Sequence, residues 1–118
     1  MKAIKGLTVL LCLVIVLTAC SSKSSSTSDG AKKMQDTLTD MQKNVDANDS
    51  AKVIKNAEDL ETNWQKFEDD VKKDQADLYG KVEDPLGAIQ TGVKQDPLDQ
   101  ATLKEQITKL NDVLKEIK

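Results

Sequence analysis

The sequence has little of the chemistry on which most enzymes depend. It contains no histidine and no arginine, and its only cysteines are Cys12 and Cys20. Acyl or thiol transfer needs a nucleophile beside a base, and a zinc site of the His/Cys type needs ligands that this chain lacks. A serine–lysine pair stays formally open, although nearly all serines lie together in residues 21–28. An enzyme is therefore the least favoured class, and the prediction is a protein without catalysis.

The balance of charge excludes a second class of function. Acidic residues outnumber lysines by 20 to 17, which gives a net charge of −3. Nucleic-acid binding draws its affinity from basic side chains on phosphates, and an acidic chain is also repelled by anionic lipid. We therefore predict no nucleic-acid partner, and any attachment to a membrane must come from something other than charge.

The first twenty residues have the order of an export signal. Lys2 and Lys5 give a positive start, residues 7–17 are apolar except for one threonine, and small residues lead into Cys20. This segment resembles a bacterial lipoprotein signal with its lipobox, Leu17-Thr18-Ala19-Cys20. The alternative is an uncleaved anchor helix, but about eleven apolar residues fall short of the roughly 20 that span a hydrocarbon core.

The lipobox resemblance implies how the protein is attached and where. Residues 1–19 would be removed, and Cys20 would carry a diacylglyceryl group and begin the mature chain. Two acyl chains anchor a protein stably where one does not. The resemblance therefore predicts a lipid-anchored protein at the bacterial cell membrane, facing outside the cytoplasm, whose mature chain has no disulfide.

The rest of the chain divides by composition into two parts. Residues 20–29 are rich in serine after the cysteine, and such segments behave as flexible coils. We predict a disordered tether there, followed by one small domain over residues 30–118.

Apolar residues in this domain recur at spacings of three and four, which places them on one face of a helix. No stretch alternates with period two, so the prediction is all-α. Four such stripes joined by short polar links favour a monomeric up-down-up-down four-helix bundle. A coiled-coil oligomer is the alternative, although each run stops after about two heptads where coiled coils sustain three or four. The stripes are Ala31, Met34, Leu38, Met41 and Val45; Ala57, Leu60, Trp64, Phe67 and Val71; Leu78, Val82, Leu86, Ile89 and Val93; and Leu103, Ile107, Leu110, Leu114 and Ile117.

Polar residues and prolines between the stripes predict where helices begin and bend. Asp29 is a candidate cap for the first helix, and Asn48-Asp49-Ser50 offers a cap for the second. Asp96-Pro97 suits the start of the fourth, since proline is tolerated at the first helical position. Pro85 predicts a kink or an interruption in the third.

Three carboxylates are placed differently from the others. Glu61, Glu68 and Glu83 lie at the borders of the apolar stripes, where they could face a groove between the second and third helices. Oxygen ligands of this kind suit hard cations. The alternative is that they form ion pairs across the rim with nearby lysines, which are Lys72, Lys73 and Lys81.

Five residues of this region carry a second resemblance. Trp64 and Phe67, then Tyr79, Val82 and Glu83, form a tryptophan helix, a short turn and a Tyr-x-x-hydrophobic-Glu helix. The pattern is similar to the extracytoplasmic helical domain of bacterial high-affinity iron permeases and to helical lipoproteins of imelysin type. The permease's membrane-embedded iron-binding segments and the imelysin motif containing histidine are absent. The resemblance thus implies cation binding or delivery, and not iron transport by this chain itself.

Two functions follow from the sequence. The first is a membrane-anchored accessory or binding protein without catalysis, whose partner would be a membrane transporter or an envelope protein. The second is a cation-binding accessory lipoprotein of a metal-uptake system. In that case the cofactor is a hard cation such as iron, with Glu61, Glu68 and Glu83 as candidate ligands.

Overall fold

A computed structural model describes residues 21–118, with side chains from residue 26 onward. This range is helical without any strand, so the all-α prediction is confirmed. None of the helices in the described range is long and apolar enough to cross a membrane. The signal segment and Cys20 lie outside the described residues. The helices are α1 (Ser21–Asp46), α2 (Ser50–Gln65), α3 (Glu68–Asp74), α4 (Ala76–Gly92) and α5 (Gln100–Leu114).

Each long helix packs against at least two others. Helix α1 lies against α2 and α5, while α4 lies against α5 and α3 and also touches α2. Two side-chain bonds set the register of α2 and α4. Gln90 Nε2 donates to the carbonyl oxygen of Ala57 at 2.7 Å, and Trp64 Nε1 donates to Glu83 Oε1 at 2.6 Å. Since the later residue of α2 meets the earlier residue of α4, the two helices run antiparallel.

The core contains the residues that the periodicity predicts. Every member of the four stripes is buried except Leu78, which is partly buried and packs against the others. Ile54 precedes the second stripe and is 41% exposed, whereas Leu98 lies in a loop and is buried. Burial of these stripes holds the helices together, because helices of this length have little stability alone.

The first helix begins earlier than predicted. Residues 21–29 form the start of α1 where a tether is expected, and Asp29 lies inside the helix and not at its cap. Thr27 is only 3% exposed, and its hydroxyl donates to the carbonyl oxygen of Lys118 at 2.6 Å. The packed part of the chain therefore starts before residue 30, because Thr27 is buried and bonded to Lys118.

The predicted second helix is divided by a turn at Lys66 and Phe67. Phe67 leaves helical geometry with φ −136° and ψ 1°. Its ring then lies against α1 at Gly30, where an added Cβ would sit 2.5 Å from ring carbon Cε1. The turn thus allows a large aromatic ring to fill the space that a glycine leaves open.

Of three further boundary predictions, one is narrowed, one needs correction and one is confirmed. Helix α4 continues through Pro85, which excludes the predicted interruption and leaves the predicted kink as a prediction; the Pro85 ring is buried, and this burial offsets part of the lost hydrogen bond. Helix α5 is capped by Asp99 and not by Asp96-Pro97. Asp49 caps α2 as predicted, because its side chain accepts a bond from the backbone of Lys52.

Candidate functional site

The chain has one tryptophan, one tyrosine and one phenylalanine, and all three meet where α2, α3 and α4 join. The Trp64 and Phe67 rings lie edge to face, with centroids 5.2 Å apart and planes at 87°. Tyr79 stacks on Trp64 with centroids 5.8 Å apart. Lys72 Nζ lies 5.2 Å from the centre of the Tyr79 ring, within the range of a cation–π contact. We call Trp64, Phe67 and Tyr79 the aromatic cluster.

Glu83 is tied to this cluster by a short hydrogen bond. The Trp64 side chain is 1% exposed, and its indole N–H is a donor that needs an acceptor once it is buried. Glu83 Oε1 accepts that bond at 2.6 Å. The glutamate is itself largely exposed, so it reaches from the surface into the edge of the core. Five residues carry the iron-uptake resemblance. Trp64 contacts three of the others, which are Phe67, Tyr79 and Glu83. The fifth residue, Val82, is buried in the core.

The three predicted carboxylates lie near enough to influence one another. Burial raises the pKa of Glu68, and the negative charges of Glu83, Asp69 and Glu61 raise it further, while Lys72 opposes them. Glu61 also accepts a hydrogen bond from Gln65 Nε2 at 3.1 Å. In the part of the chain that the structure describes, however, acidic, histidine and cysteine side chains do not form a group of three or more that could hold a metal ion.

The tyrosine of the cluster responds to the same charges. Burial raises the pKa of Tyr79 above its usual value, and Glu83, Glu68 and Asp69 add to the effect. The hydroxyl therefore stays protonated at neutral pH. A neutral phenol beside several carboxylates can donate a hydrogen bond.

The alternative prediction was ion pairing of these glutamates with nearby lysines, and Lys72 does act on Glu68 by lowering its pKa. Between residues 26 and 118, neither Lys73 nor Lys81 makes an ion pair with any of the three glutamates, and Lys72 lies over Tyr79 instead. The negative charge at the α2–α3–α4 junction is therefore only partly neutralised.

A separate groove lies on the other side of the domain. It has a volume of about 300 Å³ and runs between α1 and α5, with Leu38 and Gln42 on one wall and Ile107 and Asn111 on the other. Its lining has no acidic side chain. Every buried side-chain nitrogen or oxygen in the described range has a hydrogen-bond partner, so no buried polar atom there is left unpaired.

One group of polar contacts has no counterpart in the sequence prediction. The backbone of Lys118 is held by two side chains that are distant in sequence. Thr27 donates to its carbonyl oxygen, and Gln75 bonds both its carbonyl oxygen, at 3.1 Å, and its N–H, at 3.2 Å. We call Thr27, Gln75 and Lys118 the terminal clasp. No periodicity or motif marks it, because contacts of this range depend on the folded arrangement.

The chain matches no protein-family model, none of the curated proteins and none of the solved structures. Function is therefore inferred from the residues of this chain.

Proposed function

We propose that this protein is a membrane-anchored extracytoplasmic lipoprotein that acts as a binding or accessory protein without catalysis. The observation that carries the proposal is the ordered signal that ends in Leu17-Thr18-Ala19-Cys20. A positive start, an apolar core, small residues and a cysteine follow one another without a gap. Together they supply both the export signal and the thiol that receives the lipid.

The remainder of the chain is consistent with a role in contact and not in chemistry. With neither histidine nor a cysteine beyond residue 20, the mature chain has no thiol or imidazole for nucleophilic or acid–base work at neutral pH. Its folded part begins close to Cys20, since Thr27 is already buried. Such a domain is a compact body held at the membrane, which suits recognition of a transporter or another envelope protein.

The pairing of helices supports a monomeric up-down-up-down four-helix bundle as the form of this body. Helices α2 and α3 together make its second arm, between α1 and α4, and α5 closes the ring by packing on both α4 and α1. Cross-sequence side-chain bonds join α1 to α2 and α2 to α4. Asn44 Nδ2 donates to Asn56 Oδ1 at 2.8 Å, and Gln90 bonds Ala57.

Lipidation is tested by two matched cysteine variants. In Cys20→Ala the lipid acceptor is lost, so labelling with a fatty acid should disappear and the protein should leave the membrane fraction or remain as the precursor. Cys12→Ala lies within the apolar core of the signal and should label as the native chain does. Equal labelling of the Cys20→Ala protein would refute the proposal.

A cation-binding role is the second candidate, and the accumulation of negative charge at the α2–α3–α4 junction favours it. Burial is the largest cause of the raised pKa of Glu68, and the charges of Glu83, Asp69 and Glu61 add to it. A bound cation would have to draw these carboxylates closer than they lie in the free protein. Its binding to the folded state alone would add about 2.7 kcal/mol of stability at a hundredfold excess over Kd.

Calorimetric titration with ferrous iron, ferric citrate, calcium and magnesium tests this candidate. Saturable heat and a raised melting temperature should both vanish in the Glu61→Gln/Glu83→Gln variant. No heat with any ion would reject cation binding, and heat that survives the double substitution would reject these residues as ligands.

A further inference from the structure

We infer that the end of the domain that carries the terminal clasp faces the membrane surface and lies close to the lipid headgroups. The inference rests on the proposed lipid anchor at Cys20. It assigns one surface of the protein to the membrane and leaves the opposite end to meet other molecules.

The first step is the length of chain between the anchor and the folded domain. Thr27 is the seventh residue after Cys20, and it is already buried and bonded to Lys118. Seven residues span at most about 25 Å when fully extended. In the helical form of α1 they span about 10 Å. In either form the chain is too short to hold the clasp far from the bilayer.

The second step is the set of structures gathered at that same end. Gln75 lies at the junction of α3 and α4 and bonds the last residue of the chain. Phe67, at the junction of α2 and α3, packs on Gly30 near the start of α1. The beginning of α1, both junctions and the C-terminus therefore form one face, the clasp end, close to the anchor.

The third step concerns the opposite face, which we call the capped end. It contains the α1–α2 turn with Asp49 and the α4–α5 connection with Asp99. An ion pair of Asp46 with Lys104 joins the last residue of α1 to α5 there. From Thr27 to Asp46 the helix rises about 30 Å, so the capped end stands that much farther from the clasp end.

The final step is the orientation of the body between the two ends. The chain has a net charge of −3, and the removal of Lys2 and Lys5 with the signal makes the anchored part more acidic. Bacterial membranes containing anionic lipid repel such a surface, which opposes a domain that lies flat. The anchor therefore holds the clasp end down while the sides of the domain stay away from the lipid.

Energy transfer to the membrane surface tests this orientation. Asp77→Cys places a label on an exposed residue in the first turn of α4 at the clasp end, and Ala47→Cys places one on an exposed residue at the capped end. Cys12 leaves with the signal and Cys20 is blocked by its lipid, so each variant labels at one site. The full chain is produced in a bacterial host and reconstituted in phosphatidylethanolamine/phosphatidylglycerol vesicles with an acceptor dye on the headgroups.

We expect stronger transfer from position 77 than from position 47. Equal transfer from both, or stronger transfer from position 47, would overturn the inference. The intact mass of the same sample separates this failure from failure of the anchor. A mass without lipid would refute the proposed function and the inference together, whereas a lipidated chain with equal transfer would refute the inference alone.

A second measurement needs no substitution in the domain. Trp64 is the only tryptophan and lies in the half of the domain next to the clasp end, so its emission can donate to dansyl headgroups in the same vesicles. A flexible Gly-Ser insertion after Ser22 should weaken that transfer by lengthening the connection to the anchor. Unchanged transfer after the insertion would contradict a close approach set by the short chain.

Discussion

The two ends of the domain are built by different kinds of interaction. At the capped end, Asp49 and Asp99 each accept a bond from the backbone N–H three residues later, so the helix starts are fixed by local contacts. At the clasp end, neither α3 nor α4 has a side-chain cap. That end is held instead by bonds from Thr27 and Gln75 to Lys118, which cross 91 and 43 positions of sequence.

This difference has consequences for stability. A local cap contributes to one helix, and its loss should leave the rest of the domain intact. The clasp end joins the start of α1, both ends of α3 and the segment after α5 through a few residues, so a substitution there should destabilise the whole fold. Substitutions at the two ends can therefore confirm or break the comparison.

The largest effect is expected for Phe67→Ala. The ring is 3% exposed and contacts both Trp64 and Gly30, and its removal leaves a cavity at the clasp end. Truncation of a buried phenylalanine costs roughly 3–5 kcal/mol. Urea denaturation should show this loss, while Ile54→Ala on the exposed face should change stability by less than about 0.5 kcal/mol. Similar losses for both variants would show that the clasp end has no special role.

Two glycines in helices should respond with opposite signs. Gly30→Ala places a methyl group against the Phe67 ring and should destabilise by about 1–3 kcal/mol. In Gly80→Ala the added methyl group would point into open space beside α4. This variant should be more stable than the native protein by about 0.5–1 kcal/mol, because alanine has the higher helix propensity. Melting curves of the two variants provide the comparison. A stabilising Gly30→Ala would contradict the packing of α1 on Phe67.

Loss of a cap should have a smaller effect that depends on pH. Hydrogen bonds from Thr102 hold the pKa of Asp99 below its ordinary value of 3.8. The unfolded chain therefore binds a proton at Asp99 more readily than the folded one does. The contribution of Asp99 to the free energy of unfolding is lost as the pH falls below 3.8 and through the lowered pKa of the folded state. Asp99→Ala should lower the melting temperature at neutral pH. The difference from the native protein should shrink in acid, and a constant difference would refute the cap as its cause.

Glu68 should show the opposite dependence on pH. Burial and neighbouring carboxylates raise its pKa above 4.5, so the folded state binds the proton more tightly and stability falls as pH rises through this range. Glu68→Gln should then raise the melting temperature at neutral pH, with no gain well below pH 4.5. Asp69→Asn should give a smaller gain of the same sign, because Asp69 lies in the same first turn of α3 and is one of the charges that raise the pKa of Glu68. A gain that persists in acid would exclude repulsion as the reason.

The sequence predicts the helical stripes and the Asp49 cap, but neither the Asp99 cap nor the contacts of the clasp end, and the reason for the difference is physical. A stripe such as Leu103 to Ile117 follows from the period of the helix, and the Asp49 cap follows from a contact three residues away. Both can therefore be predicted from the sequence alone. The turn at Phe67 and the clasp on Lys118 depend on surfaces that exist only after folding. The serine-rich composition likewise predicts a tether and not the helix around Thr27. The residue that Thr27 bonds, Lys118, lies 91 positions away in the sequence.

The candidate site divides in the same way. The border positions of Glu61, Glu68 and Glu83 follow from helical spacing, and their mutual proximity was predictable. That Glu83 accepts the Trp64 N–H, and that Lys72 lies over Tyr79 and not beside a glutamate, depends on side-chain packing. Spacing alone does not distinguish a charge that binds a ligand from one that satisfies a buried donor.

The most direct test of lipid anchoring is the mass of the N-terminal peptide of the native protein, extracted from the membranes of a bacterial host. The proposed function predicts a peptide that begins at Cys20 and carries the mass of a diacylglyceryl group. A peptide that begins at Met1, or one that contains Cys20 without lipid, would contradict it.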